Sequence, residues 1–303
     1  MKKFLLKVIG LVVAIVISDV LFGLGFEFLL QNAKGGDSKR NNYICNEVGA
    51  DVLIFGSSRA IHHYNPVIIS DSLGMTCYNC GQDGNGSILN YGRCQLICQR
   101  YHPQVLIYDL FPSFDLLVGE DNHKYLGHLR PYYDRNGIAE IFESVDDTEK
   151  YKMKSNLYRY NSKFVQILSD NIIPQQSDGI QGFRPLNLEM DSLLVRKNKE
   201  HKDVDYSFDS LKINYLKRLV ELSNDTKIIF VVSPCWNGMD TTSLQIVKPF
   251  CQEHNIPILN YSNDSRYLYH NEYFKDAGHL NARGADVFTR DLMHDLKKRN
   301  ILN

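Results

Sequence analysis

The residues best suited to chemistry are two serines near the start of the chain and an Asp–His pair near its end. Gly56-Ser57-Ser58 follows the apolar run DVLIF, residues 51–55, and Asp276-x-x-His279 opens the stretch DAGHLNARGA, residues 276–285. A serine hydroxyl is a weak nucleophile at neutral pH. It needs a base beside it, and the base needs a third group to hold its tautomer and direction. An Asp three residues before a His can hydrogen-bond that imidazole without help from elsewhere. Between these segments lies NCGQDGNG, residues 79–86. Its glycines let backbone N–H groups come close to a developing oxyanion. Each segment also has a plainer reading. Ser57 and Ser58 are good helix caps, Asp83-Gly84 and Asn85-Gly86 make ordinary turns, and Asp276 can cap a turn. Acyl transfer follows only if a fold gathers the three.

The pattern predicts such a fold. Short apolar runs at 51–55, 75–79, 104–110, 227–233 and 256–260 alternate with helical spacing at about 59–73, 86–101, 207–223, 241–254 and 281–299. That alternation predicts an α/β protein with a flavodoxin-like, doubly wound parallel sheet of about five strands. The stretch from about 112 to 205 breaks the rhythm. It is rich in Tyr, Asn, Lys and Asp, and is read as a mainly helical insertion after the third strand. Ligands of open α/β sheets bind beyond the carboxyl ends of the strands. An insertion there suits a lid or substrate wall, with packing bulk or a partner surface as the alternative.

The N-terminus differs from the rest. Met1-Lys2-Lys3 precedes a 27-residue stretch, residues 4–30, whose strongly polar members are Lys7, Ser18, Asp19 and Glu27. A membrane span needs about 20 mostly apolar residues. Lysines before it and none immediately after predict a single-pass anchor in the inner (cytoplasmic) membrane, N-terminus inside, with the body facing the periplasm or cell exterior. A cleaved signal peptide is the rival reading, with a small-x-small site at Ala33-Lys34-Gly35. Asp19 must face a partner helix or water, or the span sits off-centre. Residues 31–49 read as a polar linker, and 50–303 as the body.

The chain has 44% apolar and 23% charged residues and a net charge of −1. It has no basic run suited to nucleic acid, and neither G-x-G-x-x-G after the first strand nor a P-loop. Among the seven cysteines, Cys77-x2-Cys80 and Cys94-x3-Cys98 look like half of a zinc pattern. They read better as buried small residues, so neither a metal nor a cofactor is expected.

The serine after the first strand, Asn79 with Gly84 five residues on, and D-x-x-H before the last helix resemble the SGNH (GDSL-type) hydrolase superfamily. The resemblance covers about 50–112 and 206–300. It implies Ser58 as nucleophile, Ser57 in the place of the family's aspartate, His279 as base, and Asp276 as the base's partner. It further implies oxyanion donors at Ser58 and Gly84. One departure stands out. The family's third block, Gly-x-Asn-Asp, supplies an oxyanion donor, whereas here YDLFPSFD, residues 108–115, has no asparagine. Ser113 and Asn85 are the candidates to replace it.

The anchored form with a Gly-Ser-Ser turn is similar to the D-alanyl-transfer proteins of teichoic-acid modification and the acetyl-transfer proteins of exopolysaccharide assembly. That implies an esterase or O-acyltransferase acting on an acylated glycan or polymer, with a membrane-bound acyltransferase as a candidate partner. Arg59 and Arg184 are candidate contacts for an anionic polymer, against a plain surface role. Trp236 is a candidate for stacking on a sugar, against a packing role. The alternative function is a weak or inactive relative that binds glycan or the acyltransferase.

Overall fold

A computed structural model describes residues 1–119, 121–161, 163–175, 179–191, 207–223 and 225–302. Part of the expected insertion, 192–205, therefore lies outside the described residues.

Five strands form one parallel sheet: β1 (Val52–Gly56), β2 (Cys77–Asn79), β3 (Val105–Asp109), β4 (Lys227–Val232) and β5 (Ile258–Asn260). Their order is β2-β1-β3-β4-β5, the flavodoxin-like arrangement expected from the sequence. Side chains alternate across the sheet, as the two-residue strand period requires. Leu53, Phe55, Leu106, Tyr108, Phe230 and Val232 enter one core. Val52, Ile54, Val105, Ile107, Ile229 and Val231 enter the other. Both faces are thus covered, which explains why the strands read as unbroken apolar runs.

On the first face lie α5 (Ser87–Cys98) and α11 (Ser210–Leu222). On the second lie α3 (Ser58–His63), α4 (Pro66–Leu73) and α13 (Ala282–Lys298). The single helix expected over about 59–73 is two. Pro66 forces the preceding residue out of the helical region, Asn65 caps the new start by accepting from the Val67 N–H, and Gly74 closes the end in the left-handed region. The segment 241–254 is likewise divided, into a 3-10 turn, Thr242–Ile246, and α12 (Lys248–Glu253), with a proline near the start of the second.

The stretch 31–49 is not a linker throughout. Residues Gly36–Asn46 form helix α2, and Ser38, Arg40, Asn41 and Asn42 are buried in it. Polar composition misled the sequence reading because these side chains are buried by hydrogen bonding: Arg40, Asn41 and Asn42 bond to the body and Asn42 also to the end of the first helix.

The first part of the insertion is helical: α6 (Pro112–Asp115), α7 (Ala139–Val145), α8 (Glu149–Lys152), α9 (Asn156–Tyr160) and α10 (Phe164–Ile172), with two short 3-10 turns. Its later part returns as a strap across the carboxyl ends of the strands. The Asn79 N–H donates to the Gln181 carbonyl at 2.9 Å, the Arg184 N–H to Ile61 at 3.0 Å, and the Ala282 N–H to Leu186 at 2.7 Å.

The N-terminal helix α1 (Lys2–Gln31) is long and apolar enough to cross a membrane, and no residue of its most apolar window is buried in the protein. Its later turns pack on α9 and α10. Asp19 faces α9, accepting from Ser155 Oγ at 2.8 Å, Asn156 N at 2.9 Å, Asn156 Nδ2 at 3.1 Å and Leu157 N at 2.8 Å. One carboxylate thereby satisfies N–H groups that open the short helix α9.

Candidate active site

β1 is entirely buried and ends at Gly56 with φ of +142°. A side chain there would lie 2.8 Å from the Asp109 carbonyl and 2.9 Å from the Ala60 methyl, so only glycine fits. The chain turns sharply and Ser58 opens α3. Ser57 occupies the cap position but makes no side-chain capping bond, and its buried hydroxyl has no hydrogen-bond partner among the described residues. The hydroxyl of Ser58 points elsewhere, to His279 Nε2 at 2.8 Å.

The sequence places His279 on a loop entering the last helix. It sits instead on a two-stranded antiparallel hairpin, β6 (Phe274–Asp276) and β7 (His279–Leu280), with Asp276 opposite His279. Asp276 Oδ1 closes the turn by accepting from the Gly278 and His279 N–H groups, each at 2.9 Å. The same carboxylate accepts from His279 Nδ1 at 2.9 and 3.1 Å. Partial burial pushes the Asp276 carboxyl up, but the His279 ring and these N–H donors hold it below the usual aspartate value. An ionised carboxylate at Nδ1 selects the tautomer that leaves Nε2 free to accept from Ser58. His279 remains about a third exposed, so the pair is open to a substrate.

Two histidines flank this one, and the sequence reading missed both. His63 is fully buried. Its Nε2 accepts from the Leu280 N–H at 3.0 Å, and its Nδ1 faces Ser233 Oγ at 2.9 Å. The accepting Nε2 fixes a neutral ring with the proton on Nδ1. Burial, with the nearby Arg59 guanidinium, holds its pKa well below the ordinary histidine value. His62 bridges the Arg184 carbonyl at 2.6 Å and Asp83 Oδ1 at 3.0 Å, its ring perpendicular to His279 at 5.9 Å between centroids. Their signal was in the sequence: His62 lies four residues after Ser58, on the same helix face.

The loop after β2 is held from behind. Asn79 spends its amide on the Ala60 and Tyr64 carbonyls, at 2.7 and 3.1 Å, and accepts from the Gly81 N–H at 3.0 Å. Two buried arginines grip the loop's carbonyls: Arg40 binds Asn79 and Gly81, both at 2.8 Å, and Arg93 binds Cys80 at 3.0 Å. Both also reach Gln82 Oε1, at 3.3 and 2.8 Å. Burial pulls the Arg40 pKa down to about 10, still far above neutral. With its carbonyls turned inward, this loop carries Gly84 in the left-handed region, φ +64°, beside open space. Gly86 touches the loop after β3 so closely that a β-carbon would sit 2.2 Å from the Phe114 carbonyl.

The candidates for the missing oxyanion donor are placed less favourably. Asn85 turns its amide onto the Asp83 carbonyl of its own loop at 2.7 Å. Ser113 is exposed, and its carbonyl accepts from Lys212 at 3.3 Å. Neither makes a hydrogen bond to Ser58 or His279 among the described residues.

Arg59 is not a surface contact. It is 2% exposed, donates to Ser233 Oγ at 3.0 Å and Cys235 Sγ at 3.2 Å, also meets the Ser233 carbonyl, and lies over the Phe111 ring. It joins α3 to the loop after β4. Arg184 pairs with Asp37 of α2 and carries the strap past His62. Trp236 packs as a half-buried residue, its indole N–H on Asn271 at 2.7 Å, while its backbone N–H braces Ala277 between Asp276 and His279 at 3.1 Å. The cysteines of the half-zinc patterns are separate free thiols, with Cys94 and Cys98 3.7 Å apart in α5.

No family model matches the chain, and no curated protein matches it. Among solved structures, the chain is similar to a family two carbohydrate esterase from Clostridium thermocellum in complex with cellohexaose. Identity is 10% and the TM-score 0.33, over 82% of this chain. The chain spans 64% of the length of that structure.

Proposed function

We infer that the chain is a membrane-anchored serine esterase or O-acyltransferase acting on acyl esters of a cell-surface glycan or polymer. The observation that carries this reading is the hydrogen-bonded chain Ser58–His279–Asp276, built from residues 221 positions apart. In this mechanism His279 Nε2 takes the Ser58 proton as Oγ attacks the acyl carbonyl. Asp276 stabilises the imidazolium and keeps it aimed. The Ser58 and Gly84 N–H groups receive the oxyanion. The imidazolium then protonates the departing alcohol, leaving an acyl-Ser58 ester. Water, or a sugar hydroxyl, then gives its proton to His279 as it attacks that ester, and the imidazolium returns the proton to the Ser58 oxygen as the acyl bond to it breaks. Water gives hydrolysis and the sugar gives transfer. Helix α1 holds the body at the membrane.

An activated fluorophosphonate tests the core of this reading. It should label the full chain at Ser58 and leave Ser58→Ala unlabelled. Equal labelling of both proteins overturns it. Acyl-ester profiling of cell-surface glycans, comparing wild type with Ser58→Ala, then identifies the acyl group and its acceptor.

A further inference from the structure

The insertion carries an apolar face that the body leaves uncovered. On α10, Val165, Leu168 and Ile172 share one side and are exposed, Val165 by 65% and Ile172 by 74%, while Ile167 on the opposite side is buried against Leu30 of α1. Leu157 of α9 is also exposed. A soluble surface rarely keeps such residues side by side on one short helix.

Position along α1 indicates what covers them. A helix rises ~1.5 Å per residue, so the ~20 residues that cross a bilayer core reach from Phe4 to about Gly23. Asp19 lies within that length, and both of its oxygens are filled by the start of α9. Gly23 meets α9 as well: a β-carbon there would sit 2.4 Å from the Asn156 side chain. Phe26 packs on Tyr160 at 5.9 Å and on Phe164 at 6.3 Å, and Asn171 donates to the Leu29 carbonyl at 3.0 Å. The α9–α10 pair is therefore fixed beside the turns of α1 that leave the hydrocarbon. The segment leading into and through α9, residues 149–163, sets Lys150 and Lys154 over the ring of the exposed Tyr151, beside Lys152 and Arg159, which pair with Asp146 and Asp134. Basic and aromatic side chains of this kind favour the headgroup layer.

We propose that α9 and α10 form a membrane-surface foot, seating Leu157, Val165, Leu168 and Ile172 at the boundary of headgroups and acyl chains beside α1. The inference rests on the anchoring part of the proposed function and adds a second, interfacial contact to it. Its occupant is lipid, not protein.

The test uses the wild-type full chain in phosphatidylethanolamine–phosphatidylglycerol vesicles containing a phospholipid with a diazirine on its acyl chain. After irradiation, cross-linked residues are mapped by mass spectrometry. The expected result is cross-links both in 4–24 and in 157–173, with none in α12 on the body. Cross-links in 4–24 alone overturn the foot, leave the anchor standing, and point to a protein partner for the apolar face. Cross-links in neither segment overturn the anchor and the foot together. A Val165→Ser/Ile172→Ser full chain should lose the cross-links in 157–173 and keep those in 4–24. Unchanged cross-linking of 157–173 in that variant also counts against the foot.

Discussion

The buried ring of His63 accepts the backbone N–H of Leu280 at 3.0 Å, one residue beyond His279. The helix that begins with Ser58 thus fixes the hairpin that carries its hydrogen-bond partner, His279. His63→Ala removes this tie and leaves a buried N–H unpaired, a cost of about 1–3 kcal/mol. Turnover should fall by about 10²-fold, the penalty for misplacing a reacting group by ~1 Å, and KM should change less. The pH dependence has a definite sign. The unfolded chain protonates this histidine below about 6.5 while the folded one resists it, so its stabilising contribution is complete above that pH and lost as pH falls. Chemical denaturation from pH 7 to 5 should therefore show a shallower decline for His63→Ala than for wild type. Parallel declines with unchanged turnover would remove His63 from this role.

Asp276→Asn separates orientation from turn closure. The asparagine oxygen can still close the turn to Gly278 and His279, but its amide presents a donor to Nδ1. His279 must then shift its proton to Nε2, where it no longer accepts from Ser58. A loss on the order of 10⁴ in kcat, as for the corresponding change in a protease triad, should accompany an almost unchanged melting temperature. Full activity in this variant would show that Asp276 is only a turn residue.

Two glycines of the same loop should differ in what their substitution costs. At Gly84 a methyl meets open space and the cost is the left-handed backbone, about 1–2 kcal/mol for an L-residue. The N–H is retained, so Gly84→Ala should fold and keep most of its rate. At Gly86 the methyl collides with the Phe114 carbonyl, and the loop must move away from residues 111–115. Gly86→Ala should lose both stability, by about 1–3 kcal/mol, and activity. Paired kinetic and thermal measurements of the two variants check the contrast, which fails if Gly86→Ala behaves like wild type.

Asp115 gives a pH effect opposite to that of His63. It is fully buried under Tyr108 and the Phe111 N–H, at 2.7 and 2.8 Å. Burial pushes its pKa up to about 7, against the pull of those two donors. The unfolded chain loses this proton near 3.9, so between there and about 7 the folded state holds the extra proton and stability falls as pH rises, by at most ~1.4 kcal/mol per unit. Asp115→Asn can donate to the Tyr108 oxygen and accept from Phe111. Its stability relative to wild type should therefore rise from pH 4 to 7. A flat difference across that range would show that Asp115 is ionised throughout.

Much of the architecture was legible because parallel strands buried on both faces read as unbroken apolar runs. The doubly wound parallel sheet of about five strands followed from that rhythm, and the spacing of Asp276 and His279 indicated their own hydrogen bond. What stayed hidden came from long-range pairing. Arg59 and Arg40 look like surface charges in sequence, yet backbone carbonyls and a serine hydroxyl far along the chain satisfy them inside the protein. His63 looks like one of an ordinary pair until Leu280 arrives from the other end. The helix α2 was hidden for the same reason, because Arg40, Asn41 and Asn42 share its buried face with Ile44 and Cys45.

Helix α2 also limits how far the proposed enzyme can reach. A flexible linker of nineteen residues would let the body roam over roughly 25 Å. Instead, Arg40 grips the carbonyls behind Gly84, and Asp37 holds the strap through Arg184. The chain between the apolar helix and Ser58 has no slack to pay out. Such an arm works at a set distance from its mooring, so polymer must be delivered to it and would be modified only as it passes that height.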